Sequence, residues 1–185
     1  MIITIHQPNF LPWYPFFEKM SKADMFVLLT NCQYEKNGYQ NRFFRDGKWY
    51  TMSTFKGLKP IVDKKYVNCE RSWVKIKKGL PKFKEYLNEL DQYISPSLSE
   101  TNCGIIKHLA KIINPNVKIV HDWQTDLKGT ERLIDICKYY GANTYIAGPS
   151  GKKYMDMSLW DNANIKVEFH ENKQKIHTLD YLETL

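Results

Sequence analysis

Apolar and polar positions over the first 31 residues alternate as strand, polar loop, helix and strand. Residues 2–5 are a short β-branched run, and His6-Gln7-Pro8-Asn9 breaks it with turn-forming residues. Trp13, Phe16, Phe17 and Met20 then follow helical spacing, with Pro12 and Pro15 confined to the helix start, where a missing amide costs little. After a polar stretch at 21–24, residues 25–29 form a continuous apolar run suited to a strand covered on both faces.

The second half repeats this logic. Residues 117–120 read as a strand ending at His121. Thr130 is placed to cap a helix whose Leu133, Ile134, Cys137 and Tyr140 make one apolar face. Gly141 stands where a left-handed closing residue is expected. A strand at 144–147, a tight loop at 148–151 and a strand at 165–169 before His170 follow, while residues 123–128 read as loop. The middle, 73–112, is helical and more polar, with breaks at Leu80-Pro81 and 94–99. Strands alternating with helices predict an α/β fold: a mostly parallel sheet flanked by helices in three layers, with a helical basic middle segment.

That architecture carries a functional expectation. Ligands of open α/β sheets bind beyond the carboxyl ends of the strands. Polar residues follow each strand candidate: His6 and Gln7, Asn31 and Gln33, His121, Gly148 and Ser150, and His170. If the strands are parallel, these groups converge on one rim.

Composition narrows the class. The 185 residues are 43% hydrophobic and 25% charged, as expected of one folded domain spanning 1–185. A mean hydropathy of −0.52 and the lack of any long apolar run argue against a spanning helix. The amino terminus has no basic region, apolar stretch or cleavage site of a signal peptide, so a cytoplasmic location is expected. Cys32, Cys69, Cys103 and Cys137 are widely separated, without a C-x-x-C pair or a histidine at ligand spacing. Reduced thiols and no metal site are therefore expected.

Charge is uneven. Ten basic residues between Lys56 and Lys84 face only Asp63 and Glu70, which gives this stretch +8 out of a net +7 for the chain. Such a segment can attract phosphates. The spacing of Trp73, Phe83 and Tyr86 nevertheless fits a core stripe better than a base-stacking platform, so nucleic acid is not the expected partner.

Three segments could carry chemistry. His6 ends a strand and precedes a helix, where it could act as general acid or base or meet an anion, with Gln7 and Asn9 beside it. Gln33, Tyr34, Gln40, Asn41 and Arg42, with Tyr39 as the second ring of an aromatic pair, bring amides, aromatics and a guanidinium together, groups that hold a sugar, carboxylate or phosphate; a solvated hairpin is the plainer reading. Gly148 and Ser150, with Lys152, Lys153 and Tyr154 following, form a loop whose backbone could approach an anion, although it lacks the full phosphate-loop pattern. His121 and Tyr145 complete the candidate binding set. Common hydrolase, zinc-protease and dinucleotide motifs are absent, as is a D-x-D motif for a metal-bound sugar nucleotide.

The opening Ile5-His6-Gln7-Pro8-Asn9-Phe10-Leu11-Pro12-Trp13, the run from Lys22 to Val27, the block from Gln33 to Arg42, and the stretch from Gly129 to Gly148 together resemble the WbqC-like family. This resemblance implies a role in bacterial surface-polysaccharide (O-antigen) biosynthesis, as a transferase attaching glycine or another amino-acid or acyl group to a nucleotide-linked amino sugar. The donor would be ATP-activated or another activated acyl group. A strand, histidine-containing loop, helix and strand also resemble the opening of nucleotidyltransferase-like proteins, which implies adenylyl transfer as an alternative. A non-catalytic binding module for an anionic polymer or lipid-linked sugar is the rival from another class.

Overall fold

The computed structural model describes residues 1–185. In chain order the elements are β1 (Ile2–His6), α1 (Tyr14–Met20), β2 (Met25–Leu28), β3 (Arg42–Arg45), β4 (Lys48–Thr51), α2 (Cys69–Gly79), α3 (Lys84–Glu89) and α4 (Leu98–Ile113). They continue with β5 (Lys118–His121), α5 (Gly129–Tyr139), β6 (Thr144–Ala147), α6 (Met157–Asn162), β7 (Lys166–Phe169) and α7 (Thr178–Leu182).

Five strands form one sheet in the order β5-β2-β1-β6-β7, and every pairing is parallel. The β-branched run of β1 is central, and its Ile3, Thr4 and Ile5 are buried. Alternation sends neighbouring side chains to opposite faces. On one face Ile3, Ile5, Met25 and Val27 pack with Leu133, Ile136 and Cys137 of α5 and Trp160 of α6. On the other, Phe26 and Leu28 meet Phe16, Phe17 and Met20 of α1 and Ile105, Ile106 and Leu109 of α4. The result is a three-layer α/β arrangement.

Chain connections run outward from β1 in both directions, to β2 and β5 on one side and to β6 and β7 on the other. The gap between β1 and β6 is therefore the topological switch point, where a crevice opens beyond the strand ends.

Between β2 and β5 the chain makes the antiparallel hairpin β3–β4 and then α2, α3 and α4. The hairpin turn is Asp46-Gly47, with φ of +50° and +72°, the mirror-type turn that suits a twisted hairpin. Trp73, Phe83 and Leu87 are buried in the larger core, so the basic middle segment turns its aromatics inward and most of its lysines to solvent. No helix is long and apolar enough to cross a membrane.

Local signals mostly match the elements. Gly141 adopts φ +67° just past α5. Thr130, expected as the cap of that helix, lies inside it, and its hydroxyl accepts a hydrogen bond from the Asp156 amide at 3.0 Å.

Candidate functional site

A cavity of about 340 Å³ lies at the switch point. That is near the lower end of the range for small-ligand pockets. Its floor comes from the chain following β1: His6, Asn9, Phe10, Leu11, Pro12 and Trp13, then Pro15, Phe16 and Lys19 of α1. Gly148, Pro149 and Ser150 follow β6, His170 and Asn172 follow β7, and Tyr39 and Phe43 enclose it from the hairpin side.

The floor is held in an unusual conformation. Buried Leu11 has φ +42°, a region costly for a side chain with a Cβ. Surrounding bonds hold it there: the Phe10 amide donates to Tyr39 at 2.9 Å, Trp13 pairs with His177 as an isolated bridge, and the Thr178 hydroxyl donates to the Pro12 carbonyl. Strained backbone of this kind clusters at functional sites.

The electrostatics centre on two groups. His6 Nδ1 lies 2.8 Å from the Gln7 carbonyl, which fixes the tautomer with the proton on Nδ1 and leaves Nε2 as an acceptor. Burial, assisted by the nearby Lys19 ammonium, holds the His6 pKa down to about 3, so the ring is neutral at physiological pH. Lys19 is only 4% exposed; its Nζ donates to the Ile5 carbonyl at 3.3 Å and forms no ion pair. Burial lowers its pKa to about 7. Glu18 is already engaged by His170, whose Nε2 lies 3.3 Å from its Oε2 and whose Nδ1 accepts from Lys22 at 2.9 Å. An anion entering the cavity would thus meet a lysine with no competing carboxylate.

Of the residues singled out from sequence, His6, Asn9, Gly148 and Ser150 line this cavity. Others lie elsewhere. Gln7 accepts from Gln40 Nε2 at 2.6 Å and donates to Cys32 Sγ, and Gln40 in turn accepts from the Glu35 amide at 2.8 Å. Asn41 accepts from the Tyr34 hydroxyl at 2.9 Å and donates to the Met52 carbonyl at 2.8 Å. Gln33 donates to the Lys59 carbonyl at 2.9 Å. Arg42 stacks 3.9 Å from the Trp49 ring centre and bonds the carbonyls of Asn37 and Gly38. Gln7, Gln40 and Asn41 satisfy inward-facing backbone and one another, while Gln33 bonds at the surface, so these amides build the hairpin wall behind Tyr39 and Phe43.

His121 sits at the end of edge strand β5, accepting from Lys107 at 2.8 Å. Tyr145 is buried in the smaller core, stacked on Trp160 at 4.9 Å, and Tyr154 is exposed beyond the loop after β6. No lysine between 56 and 84 lines the cavity.

Lys19, Trp13 and Asn172 enter the site from outside the sequence candidates, Tyr39 enters it as the second ring of the 33–42 block, and His170, expected on the rim, lines it as well. Lys19 did leave a trace: a lysine three residues after Phe16 and one before Met20 sits within an apolar helical stripe.

The model of the WbqC-like protein family matches residues 7–181. The chain belongs to the WbqC-like family. The matched region contains the cavity floor from Asn9 to Lys19, the loop after β6 and the segment after β7. A relative in Mycobacterium tuberculosis, the uncharacterized protein Rv1507c, is 22% identical over 188 residues, covering 91% of this chain and 81% of its own. No solved structure matches this WbqC-like chain at a significant level. All four of its cysteines are free, and it has no cluster of three or more His, Cys, Asp or Glu side chains that could hold a metal ion.

Proposed function

We propose that this WbqC-like protein is a transferase of surface-polysaccharide biosynthesis that joins glycine or another amino-acid or acyl group to the amine of a nucleotide-linked amino sugar. The observation that carries the reading is a neutral imidazole and an unpaired buried lysine in one crevice at the sheet's switch point. In this reading the sugar enters the cavity between Trp13, Tyr39 and Ser150, and Lys19 meets a phosphate or carboxylate oxygen, whose charge favours the lysine's protonated form.

The amine attacks the carboxyl carbon of an activated acyl donor, such as an acyl adenylate made from ATP. A carbon–nitrogen bond forms, the activating group leaves with the bonding pair, and the proton shed by the now acidic nitrogen passes to His6 Nε2. Trp13, Phe16 and Phe43 limit water at the reacting centre.

The test is a thermal-shift panel of ATP, coenzyme A, glycine and UDP- and dTDP-linked amino sugars, followed by mass spectrometry of the stabilising sugar after incubation with glycine and ATP. A ligand at 100 times its dissociation constant adds about 2.7 kcal/mol, which such a scan detects. Folded His6→Ala protein should lose about 10²- to 10⁴-fold in turnover. Full turnover in that variant, or no response to any nucleotide-linked sugar, would overturn the reading.

A further inference from the structure

The basic segment contains a second surface, separate from the cavity. Between Asp46 and Asp63 the chain has no acidic residue, and residues 55–60 are all exposed. Phe55 is 59% exposed, Leu58 71% and Val62 43%. Singly exposed apolar side chains are ordinary on a soluble protein; three within eight residues are not. Lys56 and Lys59 lie among them and Lys65 follows just beyond, all three exposed.

The loop is held in this shape. Lys64 is buried, and its Nζ donates to the carbonyls of Phe55 at 2.6 Å and Gly57 at 2.7 Å, while its ammonium lies 4.6 Å from the Tyr34 ring centre. The Phe55 amide donates to the Lys65 carbonyl at 3.1 Å. At the other end the Lys59 carbonyl accepts from the Tyr34 amide and from Gln33 Nε2, both at 2.9 Å. Gly57 turns the chain at φ +98°, where a Cβ would be strained. A free loop could fold Phe55 and Leu58 back onto the protein. This one is tied so that they stay in solvent.

We infer that the loop at 53–62 docks the protein on an anionic phospholipid surface, with Phe55 and Leu58 entering the interfacial region and Lys56, Lys59 and Lys65 meeting the headgroup phosphates. Exposed apolar side chains interspersed along the chain with exposed lysines suit a bilayer interface, which rewards both terms at once. A nucleic acid would use the cations and the single aromatic ring but has no use for Leu58, the most exposed large apolar side chain of the molecule.

The experiment is co-sedimentation of the full chain with vesicles of equimolar phosphatidylglycerol and phosphatidylcholine, compared with pure phosphatidylcholine. Wild type should partition to the anionic vesicles only. Phe55→Ala and Leu58→Asp should each lower the partition coefficient about tenfold. The Lys56→Gln/Lys59→Gln pair should lower it about 25-fold, at about fivefold per cation. Leu127→Ser, which removes an exposed leucine elsewhere, should change nothing. Leu58→Ser provides the same comparison without a new charge, and equal melting temperatures confirm that each variant is folded. The inference fails if wild type ignores anionic vesicles. It also fails if Leu58→Asp and Leu58→Ser bind as wild type does, or if a soluble duplex oligonucleotide binds independently of Phe55 and Leu58 while vesicles do not. None of these outcomes bears on the cavity, whose test uses soluble sugars.

Discussion

Lys19→Met probes the cavity electrostatics directly. The ammonium is buried on the apolar face of α1 with one carbonyl as partner and no carboxylate. Burial moves its pKa from an ordinary 10.5 to about 7. At about 1.4 kcal/mol per pH unit, that separation amounts to about 5 kcal/mol against folding with the charge in place. The unfolded chain keeps this proton up to 10.5, whereas the folded protein releases it near 7. Between those values the unfolded state binds more protons, so stability rises with pH; below 7 the full cost applies, and above 10.5 it is gone. Methionine keeps the length and removes the charge, at the loss of the bond to Ile5, worth about 1.5–3 kcal/mol. The variant should therefore be more stable than wild type by about 2 kcal/mol near neutral pH, or roughly 4–8 °C in Tm for a chain of this size. Urea unfolding followed by tryptophan fluorescence from about pH 6 to about pH 10 measures the difference, which should be largest at the acid end, fall as pH rises and reverse sign near about pH 9, where the fading charge cost no longer exceeds the lost bond. A pH-independent difference, or a variant less stable than wild type at neutral pH, would refute the reasoning, because the charge would then be compensated inside the folded protein.

Other perturbations follow from the same structure. Burial holds His6 near 3 and His177 near 4, both below 6.5, so the unfolded state takes up their protons first and stability falls as pH drops from 6.5 through those values. Acid unfolding of a His6→Gln/His177→Gln variant, followed by circular dichroism, should begin at a lower pH than in wild type. Asp122 accepts from the Thr30 amide at 2.7 Å and hydroxyl at 3.0 Å and pairs with buried Arg132 at 3.1 Å. Asp122→Ala removes the buried carboxylate of that guanidinium, leaving it the more exposed Asp135 at 3.4 Å, and unpairs the Thr30 amide; it should cost about 3 kcal/mol by chemical denaturation, and a loss below about 1 kcal/mol would contradict it. A Cβ at Gly104 of α4 would lie 2.7 Å from Tyr93 Cδ1. Gly104→Ala should lower stability by about 1–3 kcal/mol, and by less in a Tyr93→Leu background, as a double-mutant cycle would report.

Legibility in the sequence followed periodicity. The strand at 144–147 and the breaks at Leu80-Pro81 and beyond Ile94 coincide with the structure, because buried strands and proline leave strong local marks. The hairpin expected of the polar block 33–42 lies further on, at β3–β4, where Asp46-Gly47 is a strong turn signal. Helices α6 and α7, of six and five residues, are too short to show a helical period in the sequence. α7 is capped by His177, whose Nδ1 accepts from the Leu179 amide, a local bond made by a residue type that is not among the usual helix caps.

The site divides along the same line. Sequence alone determined the α/β class, the parallel alternation and the rim position of His6, Gly148 and Ser150, because strand ends and turn residues are local properties. Only the tertiary structure decided which polar groups face the cavity. Gln40 and Asn41 turn inward because buried backbone around them needs partners. Lys19 turns into the crevice because α1 lays its apolar face on the sheet and carries the lysine with it. Gln40 bonds Gln7, 33 residues away, and Lys19 bonds the Ile5 carbonyl, 14 residues away across the helix–sheet contact, and no local pattern encodes such partners.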